Sequence, residues 1–75
     1  MMNKPFYVHA EWDSVASVWV ATSDEVPGLA TEAETTEALV QKLKSLIPEL
    51  LSVNDQLPVE PVTFELLTRR FELAA

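Results

Sequence analysis

The fold of this chain is decided by residues 18–29, VWVATSDEVPGL, which lead directly into a polar segment at residues 30–35. The first part of this stretch is apolar and β-branched, which favours a strand over about residues 18–23. Pro27 and Gly28 then predict a turn, because proline presets φ and glycine accepts the positive φ that a type II turn requires. Gly28 is the only glycine in the chain, so its position after a proline indicates a requirement of the backbone.

Residues 6–13, which precede this stretch, also predict a strand. Their apolar and polar side chains fall on opposite faces, Phe6, Val8, Ala10 and Trp12 on one and Tyr7, His9, Glu11 and Asp13 on the other. This period of two is typical of a half-buried strand. We expect the two strands to form a hairpin. Both faces of the second strand are apolar, so the sequence leaves its inner face open.

A helix is predicted after a short third strand at residues 29–33. Thr35 is a good N-cap, and Glu37 falls in the first turn, where the helix dipole favours an acid. The run continues to about Val53, and its apolar side chains share one side. They are Leu39, Leu43, Leu46, Leu50 and Val53, with Val40, Ile47 and Leu51 along the flank. Pro48 lies on the polar side, so we expect one curved helix, with a break into two helices at Ile47 as the alternative.

A last strand is predicted from Val62 to about Leu73, after a stiff connector with two prolines at residues 57–61. Its apolar side chains change face part of the way along, from Phe64 and Leu66 to Leu67, Phe71 and Leu73. This change indicates either a β-bulge or a second apolar face for subunit contact. Together the elements predict an α+β domain, an antiparallel sheet with one long helix packed on one face.

Length and composition predict a single domain over residues 1–75 that assembles with copies of itself. A chain this short buries only about 60% of its unfolded surface, and without cysteine no disulfide can reinforce the core. We therefore expect a homodimer or a higher homo-oligomer. The candidate contacts are Trp19, Leu67, Phe71 and Leu73. No apolar segment is long enough for a signal sequence or a membrane span, which predicts a cytoplasmic protein without membrane contact.

The net charge of −7 is concentrated in the first half of the chain. Between Lys4 and Lys42 there is no lysine or arginine, while seven acids occur there. Such a surface repels nucleic acid and attracts a basic partner. The candidate partner-facing acids are Asp24, Glu25, Glu32, Glu34 and Glu37. A solvated acidic face that keeps the protein soluble is the simpler interpretation, and the charge alone does not decide between the two.

The sequence predicts no catalytic, cofactor-binding or metal-binding residue. His9 is the only histidine, lies on the polar side of a strand and has no serine motif around it, so a structural or exposed role is favoured. A magnesium-dependent nuclease built on Asp13, Asp24 and Glu32 is a weaker hypothesis, because acids near turns are mostly solvated. Two tryptophans without a basic groove do not indicate nucleic-acid binding.

Residues 18–29, followed by Thr31-Glu32-Ala33 with Thr35 and then by residues 39–44 and 47–51, resemble the HicB-like antitoxin superfamily. More closely, they resemble a small single-domain branch of it whose members are largely uncharacterised. The shared signature is a strand that ends in a Pro-Gly-Leu turn, a short polar strand with Glu-Ala, and an amphipathic helix. The resemblance covers residues 6–53 and extends to the last strand.

This resemblance implies a β-β-β-α-β fold, a partial RNase-H-like arrangement without that fold's catalytic carboxylates, and homodimers or higher oligomers. In the wider family the protein covers the active site of a small basic mRNA-cleaving toxin of HicA type. Typical members also carry a C-terminal DNA-binding segment, whereas this sequence ends at Ala75 after the last strand, so operator binding is not implied. The leading hypothesis is a non-enzymatic oligomeric interaction protein, with such an antitoxin as its more specific form. The alternative is a stand-alone oligomeric module that binds another protein or a small ligand.

Overall fold

The described residues of the chain contain four strands and one helix. The computed structural model describes residues 4–58 and 61–75. Its elements are β1 (Phe6–Asp13), β2 (Val18–Thr22), β3 (Ala30–Ala33), α1 (Thr36–Val53) and β4 (Phe64–Arg69). The predicted α+β class and the β-β-β-α-β order are confirmed. In the predicted connector, residues 59 and 60 lie outside the described part of the chain.

The strands form one sheet in the order β3-β2-β1-β4. β1, β2 and β3 pair antiparallel, so the predicted hairpin is confirmed. β4 pairs parallel to β1, because the chain reaches it through a crossover that contains α1, and parallel neighbours require such a crossover. The sheet is therefore mixed, and the predicted antiparallel arrangement holds for its first three strands.

One face of the sheet is covered by α1, which packs against β2 and β3. Val8, Ala10 and Ala21 are buried there, and Trp19 packs against the same core. The inner face of β2 is therefore that of Trp19 and Ala21. We call the opposite surface the open face; strand alternation and register place on it Tyr7, His9, Glu11, Asp13, Val18, Val20, Thr22, Ala30, Glu32, Glu65, Leu67 and Arg69.

The helix begins where the sequence predicts and continues unbroken through Pro48. Thr35 caps it, since its Oγ1 accepts a hydrogen bond from Ala38 N–H at 3.0 Å. The buried side chains form a single row with a spacing of four residues, Leu39, Leu43, Ile47 and Leu51. The row of buried side chains predicted from the sequence is therefore rotated about the helix axis from the observed row. Val53 belonged to the predicted row and is 78% exposed. The face that meets the sheet runs along Ile47 and Leu51, and Val53 points away from it.

The turn before β3 has the predicted backbone. Gly28 has a φ of 82°, and Leu29 N–H donates to the Val26 carbonyl at 3.1 Å. Proline and then a positive-φ glycine at the two central positions correspond to a type II turn. β3 starts at Ala30, one residue later than expected, because Leu29 still belongs to this turn.

β4 is shorter than predicted. Its register with β1 is continuous from Phe6–Phe64 to Glu11–Arg69, so it contains no bulge. Leu67 thus lies on the open face by simple alternation. Phe71 and Leu73 follow the end of the strand, contrary to the prediction, and are 92% and 86% exposed.

The molecule is extended for its length. Its radius of gyration is 13.5 Å and its longest dimension is 49 Å, whereas a compact domain of 75 residues has a radius of about 11 Å. None of the helices in the described residues has both the length and the apolar character of a membrane span.

Candidate functional site

The open face carries two shallow depressions that meet at His9 and Glu11. The larger, of about 530 Å³, extends from these residues toward Asp13, Val20 and Thr22. The smaller, of about 360 Å³, extends to the other side; its further lining includes Tyr7, Asp24, Leu67 and Arg69. The open face is thus a grooved surface that the fold itself leaves uncovered.

His9 lies between the two depressions and is held by its neighbours. Its Nε2 is 3.1 Å from Thr22 Oγ1 on the adjacent strand, and its ring centroid is 6.0 Å from that of Tyr7. The ring is half-buried. These two contacts place the His9 ring between Thr22 and Tyr7.

Carboxylates dominate the charge of the open face. Glu11, Glu32 and Glu65 project from three different strands, and Arg69 lies beside Glu11 in the register of β1 and β4. Exposed apolar side chains accompany them, since Tyr7 is 39% and Leu67 is 49% exposed. A surface that mixes acids with exposed apolar groups can attract a basic molecule and also bury area against it.

The five acids predicted to face a partner do not form one cluster. Asp24 lies at the rim of the smaller depression, and Glu32 lies on the open face of β3. Glu34 and Glu37 come after the C-terminal end of β3, where α1 begins, whereas Asp24 comes before its N-terminal end. The four residues of β3 separate the two ends by about 10 Å, at about 3.3 Å per residue.

Glu25, the fifth of these acids, has a structural contact that the sequence did not reveal. β2 ends at Thr22, opposite His9, so the next backbone groups of β1 lack a strand partner. Side chains replace it: Ser23 Oγ donates to the Tyr7 carbonyl at 2.6 Å, and Glu25 Oε1 accepts from Tyr7 N–H at 2.6 Å. Ser23 Oγ also accepts from the N–H groups of Glu25 and Val26. These contacts continue the β1 ladder beyond the end of β2.

Replacing Glu25 by alanine should lower the free energy of unfolding by about 1 kcal/mol, because it removes the acceptor for Tyr7 N–H. Asp24→Ala is the matched control, since Asp24 is adjacent, exposed and of the same charge. Glu25→Gln keeps an acceptor and should recover most of the stability. Urea denaturation measures the three values, and equal effects of the two alanine variants would show that charge, rather than the hydrogen bond, is responsible.

A second group that the sequence did not predict lies on the helix side of the sheet. Trp12 and Trp19 are opposite each other in β1 and β2, with ring centroids 5.3 Å apart in an edge-to-face arrangement. The Arg70 guanidinium lies 4.2 Å from the centre of the Trp12 ring and forms an ion pair with Glu72. Such stacking is favourable because the ring face is electron-rich. It fixes the start of the C-terminal tail, residues 70–75.

The four predicted oligomer contacts therefore lie in three places. Trp19 packs beside Trp12 on the helix side of its own chain, whereas Leu67 lies on the open face. Phe71 and Leu73 belong to the C-terminal tail. Leu67, Phe71 and Leu73 are available for contact, and Trp19 is largely engaged within the chain.

The acids of the nuclease hypothesis lie on separate elements. Asp13 ends β1, and its Oδ1 accepts from the N–H groups of Val15 and Ala16 at 3.0 and 3.1 Å. Asp24 follows β2 and Glu32 lies in β3. Within residues 4–58 and 61–75, no three acid or histidine side chains converge as ligands of a metal ion would.

The chain is similar to known proteins in both sequence and fold. The family model described as "Domain of unknown function (DUF1902)" matches residues 5–74. Among solved structures, the chain is similar to the hypothetical protein TTHA1013 from the extremely thermophilic bacterium Thermus thermophilus, with 46% identity and a TM-score of 0.75. The similarity covers 96% of this chain and 99% of that one. No curated protein matches. Since the family model spans nearly the whole sequence, the chain belongs to the DUF1902 family.

Proposed function

We propose that this chain is a non-enzymatic interaction protein that assembles with copies of itself and binds a small basic protein through its open face. The observation that carries the proposal is the composition of that face. Glu11, Glu32 and Glu65 lie on the same face of the sheet as the exposed side chains of Tyr7 and Leu67. Charge of this kind accelerates the encounter with a basic partner, and the apolar groups provide area to bury.

The finer proposal is that the partner is a small basic mRNA-cleaving toxin of HicA type and that the chain is its antitoxin. Two things support it. The order of elements is the one that the resemblance to HicB-like antitoxins implies, and the acids of the open face come from three strands, so they form a broad surface. A basic active-site cleft would be covered by such a surface.

A second candidate is a stand-alone oligomeric module for a small ligand or another protein. The two depressions that meet at His9 favour it, because they bring an imidazole, a hydroxyl and carboxylates to one place. Small-ligand sites commonly combine a concave surface with a few convergent polar groups.

Co-expression with a small basic ribonuclease encoded beside this chain should restore growth and give a complex that co-purifies. In that complex, Glu11→Lys combined with Glu32→Lys should weaken binding by at least about tenfold, since two attractive contacts become repulsive. Glu37→Lys with Glu49→Lys, on the exposed side of α1, is the matched control for net charge. Affinity should also fall as salt is added.

One outcome would count against the basic partner, and another against the open face as its binding surface. If purified chain captures no basic protein and a small ligand shifts its melting temperature, the second candidate is favoured. If the open-face and helix variants weaken the complex equally, the open face is not the binding surface.

A further inference from the structure

The two edges of the sheet differ in how well they are protected. β3 has four residues, and Lys42 Nζ donates to its Glu32 carbonyl at 2.5 Å, which covers part of its backbone. β4 has six residues, and in the described part of the chain no side chain binds its backbone on the side away from β1. An edge strand that carries no lysine, proline or bulge to block it can pair with another strand.

The backbone of β4 decides which of its residues can make that pairing. Phe6 N–H donates to the Thr63 carbonyl at 2.9 Å, and Phe6 is the register partner of Phe64. In a parallel ladder, a residue bonds to the two residues that flank its partner. The odd-numbered residues of β4 therefore face β1, and the backbone groups of Leu66 and Thr68 point to the free edge.

The open-face side of β4 is complementary to itself. Along it lie Glu65, Leu67 and Arg69 in that order, with Leu67 in the middle. A second copy that runs antiparallel presents the same three residues in the reverse order. When the two Leu67 residues are opposite each other, each Glu65 faces an Arg69, and opposite charges across an antiparallel pair are stabilising.

Backbone and charge together select one register. Pairing about Leu66, Leu67 or Thr68 allows the even-numbered residues to exchange hydrogen bonds. Pairing about Leu66 would oppose Glu65 to Leu67, and pairing about Thr68 would oppose Glu65 to Phe71. Pairing about Leu67 alone among the three places the carboxylate opposite the guanidinium.

We propose that β4 is a homodimer interface in which two copies pair antiparallel about a twofold axis at Leu67, with Glu65 of each opposite Arg69 of the other. This inference rests on the self-assembly in the proposed function and names its surface. The interface joins two four-stranded sheets into one. It also places the two open faces side by side, which doubles the acidic surface available to a basic partner.

The same register gives the exposed tail a place on the second copy. Phe71 comes opposite Thr63 of the second copy and Leu73 comes opposite its Pro61. Both of these opposing residues border a groove of about 150 Å³, whose other lining residues are Lys4, Phe6 and Pro58. Phe71 and Leu73, which are 92% and 86% exposed in the monomer, thus reach a concave surface in the dimer.

Reversing the charge at Glu65 or at Arg69 tests the proposed register of the two β4 strands. The wild-type chain should be a dimer at micromolar concentration by sedimentation velocity. Glu65→Arg and Arg69→Glu should each weaken the dimer at least about tenfold, because each creates two like-charge contacts across the axis. An equimolar mixture of the two variants should regain the wild-type affinity as a heterodimer, and so should the double variant. Circular dichroism and thermal melting establish that each variant is folded.

The outcomes of this experiment distinguish an error in the proposed register from an error in the proposal that the chain self-assembles. A dimeric wild type whose single variants dimerise normally, or whose mixture does not recover, overturns the proposed register and leaves self-assembly standing. A monomeric wild type overturns both. Neither result bears on capture of a basic partner by the open face, which the co-purification experiment measures separately.

Crosslinking gives an independent measurement. Residues opposite each other in a non-hydrogen-bonded antiparallel pair have Cα atoms about 4.5 Å apart, within the range of about 4.4–6.8 Å for a disulfide. Leu67→Cys should therefore form a covalent dimer on mild oxidation, in a chain that otherwise has no cysteine. Thr68→Cys, one residue along, is the control and should stay monomeric on a denaturing gel. Equal crosslinking of the two variants, or none with Leu67→Cys, would overturn the axis at Leu67.

Discussion

Replacing Leu43 by alanine should lower the free energy of unfolding by about 2–5 kcal/mol. Leu43 is fully buried in the middle of the row that α1 presents to the sheet. The substitution removes transfer free energy and leaves a cavity among side chains that pack from both layers. In a domain of this size each kcal/mol shifts the melting temperature by about 4–8 °C. Denaturation followed by circular dichroism at 222 nm measures the loss.

The matched control is Val53→Ala on the same helix. A helical pattern alone places Val53 on the buried stripe, but the structure leaves it 78% exposed, so its truncation should change stability by less than about 0.5 kcal/mol. The pair thus tests which side of the helix meets the sheet. Comparable losses at the two positions would mean that the helix is rotated from this orientation.

Local patterns were sufficient for most elements of this fold. The alternation of residues 6–13 identified β1 and its buried side, and Thr35 marked the start of the helix, because capping is a property of a few adjacent residues. The direction of β4 could not be obtained in this way. The same strand sequence is compatible with parallel and with antiparallel pairing. The path of α1 across the sheet decides which of the two β4 adopts.

The candidate site was less predictable for a related reason. The sequence shows that Glu25 is an acid in a turn, but its contact with Tyr7 N–H depends on β2 ending before β1 does. Likewise, Arg70 stacks on Trp12 only because β4 aligns with β1 in one register. Neither neighbour is close in sequence. Charge and exposure could be estimated from composition, whereas the partners of individual side chains required the sheet topology.

Replacing Gly28 by alanine should cost about 1–2 kcal/mol of stability, and replacing it by valine should cost more. Space is not the reason, since a Cβ at this position would meet Leu50 Cδ2 at 3.7 Å, an ordinary contact. The cost comes from the backbone, which has a φ of 82°. L-residues with a Cβ avoid this region, and β-branched ones do so most strongly. Chemical denaturation of the variants gives the values.

The variant Gly28→Asn distinguishes a cost that comes from backbone strain from a cost that comes from side-chain size. Asparagine is found at positive φ several-fold more often than other side chains, so Gly28→Asn should cost less than Gly28→Ala although its side chain is larger. If the cost followed side-chain size instead, crowding against Leu50 would be the cause. Ser17 gives the converse measurement, because it has a φ of 59° without being glycine. Ser17→Gly should therefore raise the free energy of unfolding, because glycine adopts a positive φ without the strain that serine has there.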